Sequence, residues 1–175
     1  MTSNRTILIT GVTGKQGGAV AQALQGTGFH LRGLTRRPDS EPAAALARHG
    51  VDVVKGDFDD EATLRRALAG AWGVFGVQNT LEAGVEGEEA QGKRLATLAR
   101  EVGVQHYVCS SVGSAHKHTG IPHFENKWRI EETVRGLGFP SHVILRPVFF
   151  MENLLAPYSL NGDTLGWALE PDTRL

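Results

Sequence analysis

Cysteine is almost absent: Cys109 is the only one in 175 residues, which excludes a disulfide framework and a thiolate metal cluster. A single thiol inside an apolar run reads as a small buried strand residue, and such usage fits a reducing cytosol. An excess of charge of one sign is also lacking. Lys+Arg 18 against Asp+Glu 19 leaves a formal net charge of -1, so no global field draws the chain to nucleic acid or to an anionic membrane. Any anion it binds must be held by local geometry. No apolar run approaches the roughly 20 residues that span a bilayer. The opening Met-Thr-Ser-Asn-Arg passes straight into a strand pattern, without the regions of a signal peptide. The expectation is a cytoplasmic protein with no direct nucleic-acid or membrane contact. At 41% apolar content this length supports one continuous core and leaves no room for a second full domain.

What is present is an alternation of strand-length apolar runs with segments of helical period, the arrangement that calls for a parallel sheet with crossover helices. Strands are expected at 5–10, 29–35, 51–55, 72–77, 107–110 and 143–145. Helices are expected at about 19–24, 43–49, 60–68, 86–102 and 124–137, the third capped by Asp59 or Asp60. In the long fourth helix Leu95, Leu98, Ala99 and Val102 share a face. The predicted fold class is α/β, a Rossmann-type doubly wound sheet of order 3-2-1-4-5-6, with ligands at the carboxyl ends of the strands near the switch between strands one and four. From Pro157 onward the character changes. Asn161-Gly162-Asp163 signals a turn, Trp167-Ala168-Leu169 is a brief apolar patch, and no closing element follows. The reading is therefore a nucleotide-binding domain over 1–157 and, over 158–175, the start of an incomplete C-terminal substrate region, truncated after the sixth strand.

Between the first strand and the first helix lies Gly11-Val12-Thr13-Gly14-Lys15-Gln16-Gly17-Gly18. A pyrophosphate at a helix N-terminus needs a backbone that turns sharply, approaches closely and offers free N–H groups, and glycine supplies the turn and the approach. The G-x-x-G-x-x-G spacing is not the usual dinucleotide fingerprint, but a strand before and a helix after support the same use. A P-loop is excluded, because Gln16 follows Gly14-Lys15 where Ser or Thr would hold Mg²⁺. At the end of the second strand an NAD site keeps an acid on the ribose hydroxyl. This chain has Thr35-Arg36-Arg37 there, which favours NADP(H) over NAD(H), since a guanidinium pairs with the extra phosphate. Ordinary solvated arginines are the alternative. Asp57, followed by Phe58, either accepts from the adenine amino group or caps the next helix. Gln78 and Asn79, with Thr80, end strand four beside the switch point. Lys93 projects from the next helix, toward the cofactor or toward solvent.

Taken with Leu34-Thr35-Arg36, Lys55-Gly56-Asp57, Gln91-Gly92-Lys93, His123-Phe124-Glu125-Asn126-Lys127 and the segment from Phe149 to Leu155, the glycine loop resembles the NmrA-like family of atypical short-chain dehydrogenase/reductases over nearly the whole chain. That family contains NADP(H)-sensing regulators and NAD(P)H-dependent reductases. The resemblance implies pyrophosphate contacts at Gly11, Thr13, Gly14, Gln16 and Gly17, beside Lys15, and a 2′-phosphate contact at Arg36. It also implies contacts near the nicotinamide at Lys127 and at Phe150, Met151, Glu152 and Asn153.

In the wider superfamily a Tyr-x-x-x-Lys pair works with a Ser, the lysine lowering the tyrosine pKa for proton exchange. Here Ser110 and Ser111 end strand five and Lys127 holds the lysine position, but His123 stands where the tyrosine would be. At i and i+4 the two share a helix face, and His moves protons near neutrality, so Lys127, His123 and Ser110 are the catalytic candidates. A polar residue near a helix start is the alternative for His123. His116, His118 and His123 invite a zinc reading, but no Cys partners them and the loop is polar, so solvated histidines without a metal are expected. The leading expectation is a redox-sensing regulatory protein that binds NADP(H) and a protein partner. The alternative is an oxidoreductase of a small carbonyl, quinone or dye-like substrate, and a third is the cofactor half of a longer protein. Uncovered Phe149, Phe150, Leu154, Leu155 and Trp167 would promote a homodimer.

Overall fold

The computed structural model describes residues 5–155, 160–161 and 164–165. Thr6–Ile9 (β1) is a run of β-branched and apolar residues, and Leu8 and Ile9 are both fully buried because each lies under helices on its own side of the sheet. Burial of a side chain such as Leu8 contributes about 1.5 to 3 kcal/mol. Around β1 run α1 (Lys15–Leu24), β2 (His30–Thr35), α2 (Glu41–Arg48), β3 (Asp52–Lys55), α3 (Glu61–Leu68), β4 (Ala71–Gly76), α4 (Thr80–Glu101), β5 (His106–Ser110), α5 (Pro122–Gly136) and β6 (Ser141–Leu145). All six strands pair in parallel in the order β3-β2-β1-β4-β5-β6, with Ile7 opposite Leu31 on one side and Gly73 on the other. The predicted order is the observed one. Ile9, Val12, Ala21, Leu31, Val51 and Phe75 form the core beneath α1 and α2. Leu8, Leu64, Leu68, Leu95, Tyr107, Ile130 and Val134 fill the opposite face beneath α3, α4 and α5.

Of the two caps that the sequence offered for α3 one is taken, and the starts of α4 and α5 shift from the sequence expectation, each for a local reason. Asp60 is the cap of α3, accepting from the Thr63 N–H at 3.1 Å, whereas Asp59 turns to Arg94 and Gln91. The fourth helix begins at Thr80, not near 86, because Asn79 caps an extra turn that Gly84, at φ 71 and ψ 173, separates from the rest. The fifth begins at Pro122 rather than 124, since proline is at home in a first turn. This puts His123 inside the helix.

Beyond β6, a 3-10 turn covers Met151–Leu155, and β7 (Leu160–Asn161) pairs antiparallel with β8 (Thr164–Leu165). The proposed boundary at 157/158, Gly162, Asp163 and Trp167 lie outside the described residues.

Candidate functional site

Along the carboxyl ends of β1 to β4 runs a cleft of roughly 1300 Å³. This exceeds the roughly 300–1,000 Å³ of ordinary small-ligand pockets, so it has room for an elongated molecule. Its floor is the glycine loop. Thr10 fixes where the loop starts: its buried hydroxyl accepts from Val77 N–H at 2.8 Å and lies 3.0 Å from the Val77 carbonyl, tying the ends of β1 and β4 together at the switch point. Gly11 takes φ 59, a conformation that favours glycine. At Gly17 a methyl group would stand 2.3 Å from the Gly11 carbonyl oxygen, so this buried glycine lets α1 cross the loop. Gly14 has a different job. It is exposed, its added methyl would approach Gly11 O at 3.2 Å, and it starts α1 with no side-chain cap and no acid in the first turn. The first-turn N–H groups of a helix lack intrahelical partners, which makes this end an anion-binding position.

Gly11, Thr13, Gly14, Lys15, Gln16 and Gly17 line the cleft, as do Arg36, Asp57, Phe58, Gln78, Asn79, Phe150, Glu152 and Asn153. Three cofactor candidates do not. Lys93 pairs with Glu89 at 2.6 Å on the outer side of α4, Met151 is 71% exposed, and Lys127 is buried behind the cleft wall. With Asp60 as the cap of α3, the Asp57 side chain is left to accept from the Asp59 N–H at 3.0 Å at the cleft edge. Gln78 bears directly on ligand fit. Its Nε2 is buried without a hydrogen-bond partner among the described residues, and the residue lines the cleft. An unmet buried donor costs about 1–3 kcal/mol unless a ligand oxygen takes it.

The catalytic candidates are only partly gathered. The Lys127 ammonium lies 3.4 Å from the Ser110 carbonyl oxygen, and the Ser110 hydroxyl donates to Gln16 Oε1 at 2.6 Å, linking β5 to the glycine loop. His123 is exposed and packs edge-on to Phe124, at 4.7 Å between ring centres, in contact with neither. The partner of Lys127 is instead Glu88, a carboxylate 1% exposed, at 2.8 Å. Glu88 also accepts from the Thr80 hydroxyl and from Asn126 Nδ2. The sequence reading missed Glu88, although stepping back from Leu95 through Gly92 along the apolar face of α4 reaches it. Gly92 lets α4 and α5 meet this closely, since a methyl there would lie 2.6 Å from Ile130 Cδ1.

A second buried carboxylate, Glu131, takes hydrogen bonds from Ser111 Oγ at 2.5 Å, Arg135 at 2.7 Å and both Nε and Nη2 of Arg146. Burial alone would raise its pKa, but these donors hold it below the ordinary carboxylate value. Burial pushes the Cys109 thiol up to about 11 and the Tyr107 phenol well above its usual value, which makes both inert core groups. The three histidines face separate partners: His116 lies 3.1 Å from Arg146, His118 3.7 Å from Glu125, and His123, in α5, packs against Phe124.

Strand order, glycine loop and cleft define an α/β protein of the NAD(P)-binding Rossmann type. The chain belongs to the NmrA-like family, whose model matches residues 3–170. It is similar to the NmrA-like family domain-containing oxidoreductase FrzB of Cladobotryum sp, at 35% identity over 161 residues, 86% of this chain and 48% of that protein. Among solved structures it resembles NmrA, a negative transcriptional regulator, in complex with NADP. The TM-score is 0.70 at 27% identity, over 81% of this chain and 45% of that one. NmrA has also been solved with NAD. The NADPH complex of the Escherichia coli quinone oxidoreductase QOR2 aligns with TM-score 0.72 and 25% identity, over 85% of this chain and 51% of that one. The chain spans about half the length of the curated relatives it matches.

Proposed function

We propose that this chain binds NADP(H) in the cleft and serves as a redox-sensing regulatory protein. The observation that carries the binding is the pairing of an uncapped, acid-free N-terminus of α1 with the orphaned Gln78 Nε2 in one cleft. On this reading the first turn of α1 holds the pyrophosphate, Arg36 faces the 2′-phosphate, and Gln78 with Asn79 lines the ribose path. Phe150 and Asn153, which line the cleft, are assigned to the nicotinamide end. Bound NADPH would supply a hydride donor. The regulatory role is supported by the proton-transfer groups: His123 is turned to solvent, and Lys127 is committed to Glu88. A second reading, reduction of a quinone or carbonyl, is supported by likeness to FrzB and QOR2.

The binding test is Gly14→Val. The site is exposed, and the Gly11 carbonyl, 3.2 Å from an added methyl, has to give by only a few tenths of an ångström, so the variant is expected to fold while the branched side chain occupies the space that the pyrophosphate needs. Titration by nicotinamide fluorescence, with circular dichroism alongside, should show NADPH binding lost in a folded variant; unchanged affinity sinks the assignment. Roles separate by assaying NADPH oxidation against quinones and carbonyls. Tight binding without turnover fits the sensor, and steady turnover fits the reductase.

A further inference from the structure

Arg36, on which the preference for NADP(H) rests, is already engaged. Its Nη2 lies 2.5 Å from Glu82 Oε2, with the two side chains 62% and 56% exposed. Glu82 comes from the opposite wall of the cleft. It sits on the isolated turn that opens α4, held at one end by Asn79 Oδ1, which accepts from the Leu81 N–H at 3.0 Å. At the other end is Gly84, where φ is 71 and an added methyl would meet nothing within 4 Å. That glycine is required for its backbone conformation and not for space. Leu81, Glu82 and Ala83 all line the cleft, so the turn carries a carboxylate across to the end of β2.

The rule for telling NAD from NADP sites reads the end of β2, where an acid receives the ribose hydroxyl. This chain has arginine there, and the acid arrives from the end of β4. We propose that Glu82 is a second selectivity residue of the cleft, forming with Arg36 an exchangeable pair that admits both dinucleotides. The proposal rests on the dinucleotide reading above. A 2′-phosphate carries about -1.5 to -2 charges near neutrality, must displace Glu82 from the guanidinium and is repelled by it. The 2′-hydroxyl of NAD(H) brings no charge and donates to the same carboxylate while Arg36 stays paired. Glu82 therefore weakens NADP(H), supports NAD(H) and narrows the preference that Arg36 alone would impose. The exposure of both groups keeps the effect modest and salt-sensitive.

The experiment measures NADPH and NADH dissociation constants by fluorescence on the whole chain, at low and high salt, in the parent, Glu82→Gln and Glu82→Lys. Glu82→Gln is expected to tighten NADPH about three- to fivefold and to weaken NADH by a smaller factor. Glu82→Lys should move the ratio further the same way, and raised salt should shrink both shifts. A ratio within twofold of the parent in both folded variants overturns the role of Glu82 and leaves the cleft as a dinucleotide site. A parent chain that binds neither cofactor overturns the inference together with the reading beneath it.

Discussion

Lys127 shows how far a motif reaches at the scale of one residue. Its place four residues after His123, at the lysine position of Tyr-x-x-x-Lys, identified it, and burial makes its partner decisive, because an unpaired ammonium at 8% exposure would stand without compensation. Glu88→Gln is accordingly expected to cost about 3–5 kcal/mol, and Glu88→Leu combined with Lys127→Met to recover much of that loss. Urea denaturation of Glu88→Gln and of the double variant reads this directly. If Glu88→Gln is neutral, the pair is not holding α4 to α5. Lost turnover in Lys127→Ala would therefore be interpretable only beside its stability. The glycines were legible one by one, since Gly11, Gly14 and Gly17 stand in a contiguous loop. Their division of labour was not. Which of them faces a ligand and which faces the Gly11 carbonyl depends on how α1 lies over β1.

At the scale of the element, α5 is fastened through Glu131, which joins the end of β5 at Ser111 to the segment after β6 at Arg146. Its carboxyl is held below the ordinary value in the folded chain. The stability it contributes is thus fully present above the unfolded value of about 4.3 and disappears as pH falls through the lower folded value. Parent stability should decline more steeply than that of Glu131→Gln between neutrality and pH 3, with the variant about 2 kcal/mol weaker at pH 7. Denaturant midpoints across that range test it; parallel profiles would show that Glu131 is not a source of acid sensitivity. Helix α4 illustrates the limit of periodicity. The pattern from 86 to 102 follows its main length, while Gly84 puts the turn at 80–83 out of phase, and a single 3.6-residue repeat cannot report a helix across such a break.

For the whole molecule, exposed apolar side chains gather beyond the sheet edge. Val143 and Leu145 on β6 are 40% and 46% exposed, and Val148 is 84% exposed. Such surface favours association, so sedimentation velocity should show concentration-dependent dimers or larger species, diminished in Val148→Ser with Met151→Ser. A monomer at every concentration would remove the homodimer from the reading. The order 3-2-1-4-5-6, the glycine loop at the end of β1 and the arginine at the end of β2 were determined by sequence alone, because alternating period and residue spacing belong to contiguous stretches of chain. Tertiary structure alone decided which charges meet. Glu82 reaches Arg36 across 46 residues, and Glu88 finds Lys127 and Glu131 finds Arg146 only when helices and strand ends pack, since Coulomb attraction depends on distance in space and no local period encodes these distances, as it does for the pair of Glu131 with Arg135 one turn along α5.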